Sequence, residues 1–308
     1  MASLARRCEG WKSWCVRLAP VPVLLMLAVP VGSFLAGCGE AANQVGCLRQ
    51  TRLGSAAYRI RNGTCVQSGF ENVVRLAIAT NLGTFLCTGT LIAPNVVVSA
   101  GHCVNPAASI PSFTVSQIQV DMPRANVGAL VTHYTFTGGG QGQPLDSTAD
   151  WSVLRLDRNL TPAPANLAAQ YPVVGQEMIA LGYGFDGNGA DGNGNAGDLL
   201  SGLVVVDFPG SSSKNIRTVA AVQPITSPNS QDTCAGDSGG PIFAVNSTSV
   251  IVGLLSGGNY IGSDTCKNSA DSYWTPVNRV RTDIGIRKAE AESLQNTDPA
   301  PPGWTKVP

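Results

Sequence analysis

Short runs of apolar and β-branched residues recur along the chain from about residue 60 onward, and Gly, Pro, Asn and Ser separate them. No run carries the 3.6-residue period of an amphipathic helix, so the pattern indicates strands. Examples of the predicted strands are Val73–Ala79, Thr90–Ile92, Val96–Ser99, Ile118–Val120, Trp151–Leu156, Met178–Leu181, Leu203–Val206 and Val250–Leu255. The sequence therefore predicts an all-β barrel or sandwich, with Val277–Ala289 as its candidate helix.

The N-terminus has the pattern of a secretion signal. Residues 1–17 hold four basic residues against one acid, and positions 18–39 carry no charge. A basic start, an apolar middle and a small-residue end are typical of exported proteins. Residues 35–38, Leu-Ala-Gly-Cys, resemble the bacterial lipobox, which implies cleavage before Cys38 and a diacylglycerol group on its sulfur. We assign residues 1–37 to a lipoprotein signal peptide and expect a lipid-anchored protein of the bacterial cell envelope.

Two alternatives for this segment stay open. Residues 18–39 are long enough to cross a bilayer as an uncleaved anchor, although three prolines disfavour a well-packed helix. An ordinary signal peptide is the other alternative, and its removal would release a secreted protein.

Charge and composition exclude some classes of function. The chain has 20 Lys and Arg residues against 20 Asp and Glu, and 13% of its residues are charged. Without a basic field, nucleic-acid binding through charge alone is excluded. An apolar fraction of 44% excludes wholesale disorder, and two histidines leave little room for a multi-histidine metal centre. We expect a monomer that needs no metal and no cofactor.

The cysteines indicate disulfide bonds. Removing residues 1–37 takes two of the nine cysteines, and lipidation of Cys38 leaves six, at positions 47, 65, 87, 103, 234 and 266. An even number in an exported chain predicts three disulfides, whose pairing the spacing leaves open. Zinc binding is a weaker alternative because the chain has no Cys-x-x-Cys pair.

Two segments have a biased composition. Asp186–Asp198 is rich in Gly, Asn and Asp and partly resembles a calcium loop, but the turn glycine and the final glutamate are absent. We interpret it as a flexible surface loop. Residues 288–308 end in a proline-rich stretch and are predicted to be a disordered tail.

Three stretches hold residue types that together support nucleophilic catalysis: Val98–Cys103 (VSAGHC), Asp150–Leu156 (DWSVLRL) and Cys234–Pro241 (CAGDSGGP). Serine is a weak nucleophile at neutral pH and needs a nearby base, which in turn needs a partner that fixes its tautomer. The glycines around Ser238 let a substrate carbonyl approach closely. The N–H groups of Gly236 and Ser238 are expected to converge on the oxyanion that forms.

In order and motif, these stretches resemble the trypsin/chymotrypsin family of serine proteases, from about Ile60 to about Arg287. The resemblance implies two six-stranded antiparallel β-barrels, followed by a short C-terminal helix. It also implies that His102 is the general base and acid, that Asp150 orients it, and that Ser238 attacks the acyl carbon. Residues 60–287 are then expected to form a serine endopeptidase domain that cleaves proteins and peptides through an acyl-enzyme.

The resemblance also pairs the cysteines. Cys87–Cys103 is similar to the family's bridge beside the catalytic histidine, and Cys234–Cys266 is similar to the bridge that braces the specificity pocket. Cys47–Cys65 remains as the third pair. Several other bridges of the family have no cysteines here.

The resemblance places Asp232 at the base of the primary specificity pocket, six residues before the nucleophile. A buried carboxylate there would pair with a substrate Arg or Lys side chain. The alternative is a solvated loop aspartate. Ser256 and Gly258 resemble the strand that pairs with the substrate backbone. Ser272 stands where trypsin-like members have glycine, and it would narrow the pocket.

Arg59-Ile60 resembles the junction at which family members are cleaved from an inactive precursor. The new Ile60 amino group is then expected to pair with Asp237 and to order the oxyanion hole. Arg61 departs from the family pattern, and a plain polar loop is the alternative. Cys47 and Cys65 flank this junction, so their bridge would keep residues 38–59, a tether and propeptide, attached to the protease after cleavage. The protease would then stay on the membrane through Cys38.

The alternative from another class is a non-catalytic binding or adhesion protein on a protease-like fold. Such proteins usually lack a member of the catalytic triad, whereas His102, Asp150 and Ser238 are all present.

Overall fold

The computed structural model describes residues 60, 63–66, 68–105, 113–123, 125–138, 149–184, 198–223, 230–260 and 269–308. All of them belong to one of the two compact units of the chain, Asn43–Pro308. Residues 1–59 lie outside the described residues, so the signal peptide, the lipid on Cys38 and the tether stay predictions. Most of the loop Asp186–Asp198 lies outside them as well.

The first barrel is built from six antiparallel strands. They are β2 (Val73–Thr80), β3 (Gly83–Ala93), β4 (Val96–Ser99), β5 (Val115–Met122), β6 (Val127–Thr137) and β7 (Trp151–Leu156). Their order is β6-β5-β2-β3-β4-β7, and pairing of β6 with β7 closes the sheet. Leu76, Ile78 and Ile118 alternate with more exposed residues along β2 and β5 and point into the barrel, where they are fully buried.

The second barrel repeats this plan. Its strands are β9 (Glu177–Gly182), β10 (Leu200–Phe208), β11 (Ile216–Ala220), β12 (Pro241–Ala244), β13 (Val250–Tyr260) and β14 (Ser269–Pro276). Their order is β9-β10-β11-β14-β13-β12, closed by pairing of β12 with β9. Short β1 (Thr64–Cys65) adds to β10, and β8 (Asn166–Leu167) lies parallel to β13. The prediction of two six-stranded antiparallel barrels is confirmed.

A shared apolar core joins the two barrels. Val98 and Val153 of the first barrel pack in one cluster with Phe243 and Leu254 of the second, and Ile284 of the C-terminal helix joins them. This packing fixes the barrels against each other, so residues from both can meet at one site.

The C-terminal helix α2 (Val277–Ser293) begins where the sequence predicts and extends four residues beyond the predicted Ala289. The prediction of a disordered tail over residues 288–308 is wrong. After the helix the chain runs across the first barrel, and β15 (Thr305–Lys306) pairs with β6. Trp304 is buried, and its indole donates a hydrogen bond to Glu290.

Buried polar groups of the first barrel also hold this tail. The Arg155 guanidinium donates to the Leu294 carbonyl oxygen over 2.9 Å, and His133 Nε2 lies 3.0 Å from the Asp298 carbonyl oxygen. The many prolines suit an extended segment as well as a disordered one, because they fix the backbone away from helix. Composition alone therefore could not distinguish the two states.

Within the part of the chain that the structure describes, no helix is both long and apolar enough to span a membrane.

Candidate active site

The predicted base lies directly after β4, on a single helical turn, α1 (Gly101–Val104). His102 is the second residue of this turn, and its side chain is 13% exposed. The neighbouring Cys103 forms a disulfide with Cys87 of β3, so the predicted Cys87–Cys103 bridge is present. The bridge ties the histidine turn to the barrel wall and closes a loop that includes all of β4.

Asp150 holds His102 through one contact to its imidazole and one to its backbone. Its Oδ2 lies 2.7 Å from His102 Nδ1, and its Oδ1 accepts the backbone N–H of His102 over 2.9 Å. The Ser256 hydroxyl donates to the same Oδ2 over 2.7 Å. The carboxylate is 4% exposed and acts as acceptor for all of these groups. With Nδ1–H directed at the carboxylate, Nε2 is left as the basic nitrogen.

The charge state of Asp150 follows from two opposed effects. Burial by itself raises the pKa of this carboxyl group. The His102 charge and the hydrogen bonds from His102 and Ser256 together outweigh burial, so the pKa of Asp150 lies below its ordinary value. Asp150 is therefore ionised at neutral pH and stabilises a positive charge on His102.

Ser238 lies in a tight loop before β12 and is half-buried. Its carbonyl oxygen accepts the backbone N–H of Thr88 over 2.8 Å and lies 3.7 Å from Cys103 Sγ. The loop is thus anchored beside the histidine turn. Among the described residues, the Ser238 hydroxyl makes no hydrogen bond to His102. In enzymes without substrate this contact is often long and shortens only when substrate binds.

Gly236 and Gly239 make this loop possible. Gly236 has φ of +89°, a conformation that side chains disfavour. A Cβ on Gly239 would lie 2.0 Å from Ser99 Oγ and 2.5 Å from the Thr88 carbonyl oxygen. Among the described residues, neither the Gly236 nor the Ser238 N–H has a hydrogen-bond acceptor. Both donors are thus available for an oxyanion at Ser238.

Asp237, next to the serine, points away from it into the protein and is fully buried. Its Oδ1 accepts the Gly184 N–H and its Oδ2 accepts the Cys234 N–H, each over 2.9 Å. Ile60 is also fully buried, within the core of the second barrel, and packs so closely on Gly202 that a Cβ there would lie 2.4 Å from Ile60 Cγ2. Arg59 lies outside the described residues.

Asp232, the predicted base of the specificity pocket, contacts Ser272, another of the predicted pocket residues. Its Oδ1 accepts the Ser272 hydroxyl over 2.5 Å and the Thr233 N–H over 2.8 Å. Ser272 lies opposite Gly258 in the pairing of β13 with β14. Asp232 is fully buried, so the alternative of a solvated loop aspartate is wrong. The pairing of the Ser256 strand with the substrate backbone stays a prediction, and the Ser256 hydroxyl donates to Asp150.

Two of the remaining predictions concern disulfides. Cys65 and Cys234 are each disulfide-bonded. Their predicted partners, Cys47 and Cys266, lie outside the described residues, so both pairings stay predictions. Within the described ranges, no group of three or more His, Cys, Asp or Glu residues could hold a metal ion.

The sequence missed two threonines at the site, Thr88 and Thr275. The Thr275 hydroxyl contacts the backbone of Asp150, and the Thr88 hydroxyl contacts that of Gly236. Both lie within strands, and no local motif distinguishes either of them from other strand threonines.

Comparison with known proteins agrees with this geometry. A family model described as Trypsin matches residues 60–284. Trypsin of Sus scrofa is 24% identical over 183 residues, which cover 56% of this chain and 74% of that protein. Trypsin iota of Drosophila melanogaster is 28% identical over 194 residues, covering 58% and 70% of the two chains. Kallikrein-8 of Mus musculus is 26% identical over 210 residues, covering 64% and 75%.

Solved structures show the same fold. A Glu endopeptidase in complex with MPD superposes with a TM-score of 0.53 at 22% identity, over 74% of this chain and 97% of that one. HL collagenase superposes with a TM-score of 0.55 at 15% identity, over 74% and 98% of the two chains. Because the family model spans both barrels and the first half of helix α2, the chain belongs to the trypsin family of serine proteases.

Proposed function

We propose that this protein is a serine endopeptidase in which His102, Asp150 and Ser238 form the catalytic triad. The observation that carries the proposal is the hydrogen bond of 2.7 Å between His102 Nδ1 and a buried Asp150 carboxylate. This contact leaves Nε2 free to take a proton. The Ser238 loop adjoins the same histidine turn and has two free backbone donors among the described residues.

The reaction follows from these positions. His102 Nε2 takes the Ser238 hydroxyl proton as Oγ attacks the scissile carbonyl, and Asp150 stabilises the imidazolium that forms. The N–H groups of Gly236 and Ser238 stabilise the oxyanion of the tetrahedral intermediate. His102 returns the proton to the leaving amine, and water then hydrolyses the acyl-enzyme by the same steps.

A fluorophosphonate probe tests the proposal directly, because it reacts only with an activated serine. We expect stoichiometric labelling of the activated wild-type protein at Ser238 and none in Ser238→Ala or His102→Ala. Ser116→Ala is a matched control, since it removes a surface strand serine whose hydroxyl only contacts the Ala79 carbonyl oxygen. A properly folded wild-type protein that is not labelled, with or without cleavage at Arg59–Ile60, would favour the binding or adhesion alternative.

We further propose that Asp232 directs cleavage after Arg or Lys. A carboxylate at the pocket base favours a cationic side chain, because opposite charges attract each other strongly where water is excluded. The Ser272 hydroxyl already donates a hydrogen bond to this carboxylate, and it leaves less room in the pocket for a large guanidinium group. Profiling with a peptide library tests the assignment. We expect cleavage after Arg and Lys, lost in Asp232→Ser, whereas Ser272→Gly should raise the rate for Arg relative to Lys.

Activation is proposed to occur at Arg59–Ile60. Burial of the Ile60 side chain and of the Asp237 carboxylate in the same barrel supports an ion pair between the new amino group and this carboxylate. N-terminal sequencing of active protein should find Ile60 at the start of the catalytic chain. Arg59→Gln should remain a single chain of low activity, and activity equal to that of the wild type would contradict this step.

Membrane attachment is proposed to persist after activation. Cys65 lies five residues beyond the junction and is disulfide-bonded, which supports a bridge to Cys47 across the cut. The exported protein would then stay on the bacterial envelope through acyl chains at Cys38. Detergent extraction followed by phase partitioning tests this. Active enzyme should enter the aqueous phase only after reduction, and its release without reductant would contradict the tether.

A further inference from the structure

Thr88 of β3 uses every polar atom it has to contact the active-site region. Its backbone N–H donates to the Ser238 carbonyl oxygen over 2.8 Å, and its carbonyl oxygen accepts the Ser99 hydroxyl over 2.8 Å. Its side-chain hydroxyl donates to the Gly236 carbonyl oxygen over 3.1 Å and accepts the Tyr183 N–H over 2.9 Å. Thr88 is fully buried, so water cannot replace these contacts.

The hydroxyl therefore bridges two segments of the second barrel. One is the loop of Gly236 and Ser238, and the other is the end of β9 at Tyr183. The next residue, Gly184, donates its N–H to Asp237 Oδ1. The contacts thus form a closed ring that runs from Thr88 to Tyr183, through Gly184 to Asp237, and back through Gly236.

We propose that Thr88 is a positioning residue for the oxyanion hole, acting through the orientation of Gly236; this inference rests on the proposed protease function. At φ of +89°, Gly236 has no side chain to restrict its backbone, so the flanking peptides can rotate. The hydrogen bond from Thr88 fixes the Gly236–Asp237 peptide and so limits the rotation of the Gly236 backbone, on which the direction of the Gly236 N–H depends. Donors fixed before the reaction stabilise an oxyanion without further reorganisation.

The chain provides a matched control two residues along the same strand. Thr90 is also fully buried and, at that spacing, lies on the same face of β3 as Thr88. In the part of the chain that the structure describes, its hydroxyl has no hydrogen-bond partner. Thr90→Val thus removes a hydroxyl that makes no hydrogen bond to the described residues, whereas Thr88→Val removes a hydroxyl that makes two.

The experiment measures kcat and KM of the full-length, activated protein with a peptide ester and with its thionoester. Sulfur is a poor acceptor, so the thionoester gains little from the oxyanion hole. For the ester, we expect Thr88→Val to lower kcat about tenfold, less than the loss of a direct oxyanion donor, with KM changed less than about twofold. The thionoester rate should hardly change. Thr88→Ser should restore the ester rate, and Thr90→Val should leave both rates unchanged.

Other results would overturn the inference. Equal losses for ester and thionoester in Thr88→Val would show a general structural effect, and no loss for either would show that the hydroxyl does not act on catalysis. If Thr88→Val does not fold, Thr88→Ala and Thr90→Ala take their places in the same comparison. Failure of the protease proposal is distinguishable, because the wild type would then neither be labelled by a fluorophosphonate nor hydrolyse either substrate.

Discussion

Thr275, on strand β14 of the second barrel, holds the backbone of Asp150 at the edge of the first barrel. The Asp150 N–H donates to Thr275 Oγ1 over 3.1 Å, and the same hydroxyl donates to the Asp150 carbonyl oxygen over 3.0 Å. Both residues are buried. The acidic member of the candidate triad is thus fixed by the barrel that also carries Ser238.

Replacing Thr275 with Val should therefore affect both stability and turnover. The substitution keeps the shape but leaves the Asp150 N–H and carbonyl oxygen without this partner, which should cost about 1–3 kcal/mol of the free energy of unfolding. Displacement of Asp150 should also lower kcat about tenfold. Urea denaturation and steady-state kinetics measure the two effects. Thr90→Val, which removes a buried hydroxyl without a partner among the described residues, should leave kcat unchanged and should not lower the free energy of unfolding. Equal losses in both variants would contradict the role of Thr275.

The lowered pKa of Asp150 predicts how acid affects stability. In the wild type the pKa of Asp150 is lower in the folded state than in the unfolded state. The ionised carboxylate therefore stabilises the fold at any pH above the unfolded-state pKa. This stabilisation is lost as the pH falls through the folded-state pKa. His102→Ala removes the His102 charge and hydrogen bonds that lower this pKa, while burial still raises it. The variant should be less stable than the wild type at pH 7, and the difference should shrink on acidification toward pH 3.

Ser238→Ala is the control for this measurement, because it leaves every contact of Asp150 in place. Its free energy of unfolding should follow pH as that of the wild type does. A constant difference between His102→Ala and the wild type across the pH range would show that His102 does not set the charge state of Asp150.

The sequence predicted those parts of the molecule that local pattern determines. Val96–Ser99 and Trp151–Leu156 are strands with the predicted bounds because each is short, mostly apolar and buried throughout. Strands β6 and β14 were missed because polar residues such as Thr135 and Ser272 occupy buried positions in them. Those residues are satisfied by partners distant in the sequence, and the alternation of apolar and polar residues does not reveal such partners.

The residues of the candidate site likewise fall into those that the sequence predicted and those that it did not. His102, Asp150 and Ser238 were identified because each lies in a recognisable motif. Thr88 and Thr275 form hydrogen bonds with the backbone of residues more than 100 positions away. These contacts can be recognised only in the folded chain. The role of Ser256 as a donor to Asp150 depends on the side-chain direction within β13, which the sequence does not specify.

The C-terminal segment should contribute substantially to stability. Trp304 packs in the apolar core shared by the two barrels, and its indole N–H donates to Glu290 of helix α2. Trp304→Ala should lower the free energy of unfolding by about 3–5 kcal/mol, as is usual for loss of a buried aromatic side chain. Val173→Ala, at a position 66% exposed, should change it by less than about 0.5 kcal/mol. A Trp304→Ala protein as stable as the wild type would contradict this contribution and support the prediction of a disordered tail.

Two glycine substitutions should shift stability in opposite directions. Gly239 has φ of +77°, and a Cβ there would meet the Thr88 carbonyl oxygen at 2.5 Å and the Ala100 backbone N at 2.6 Å. Backbone atoms cannot move aside as a flexible side chain can, so Gly239→Ala should cost at least about 2 kcal/mol and reduce fluorophosphonate labelling of Ser238. At Gly285, in helix α2, a Cβ would meet no neighbouring atom within 4 Å, and Gly285→Ala should stabilise the protein by about 0.5–1 kcal/mol with labelling unchanged. Thermal and urea unfolding of the two variants beside the wild type would measure both shifts in stability. If Gly239→Ala left the stability unchanged, the Ser238 loop would not need this close approach to β3.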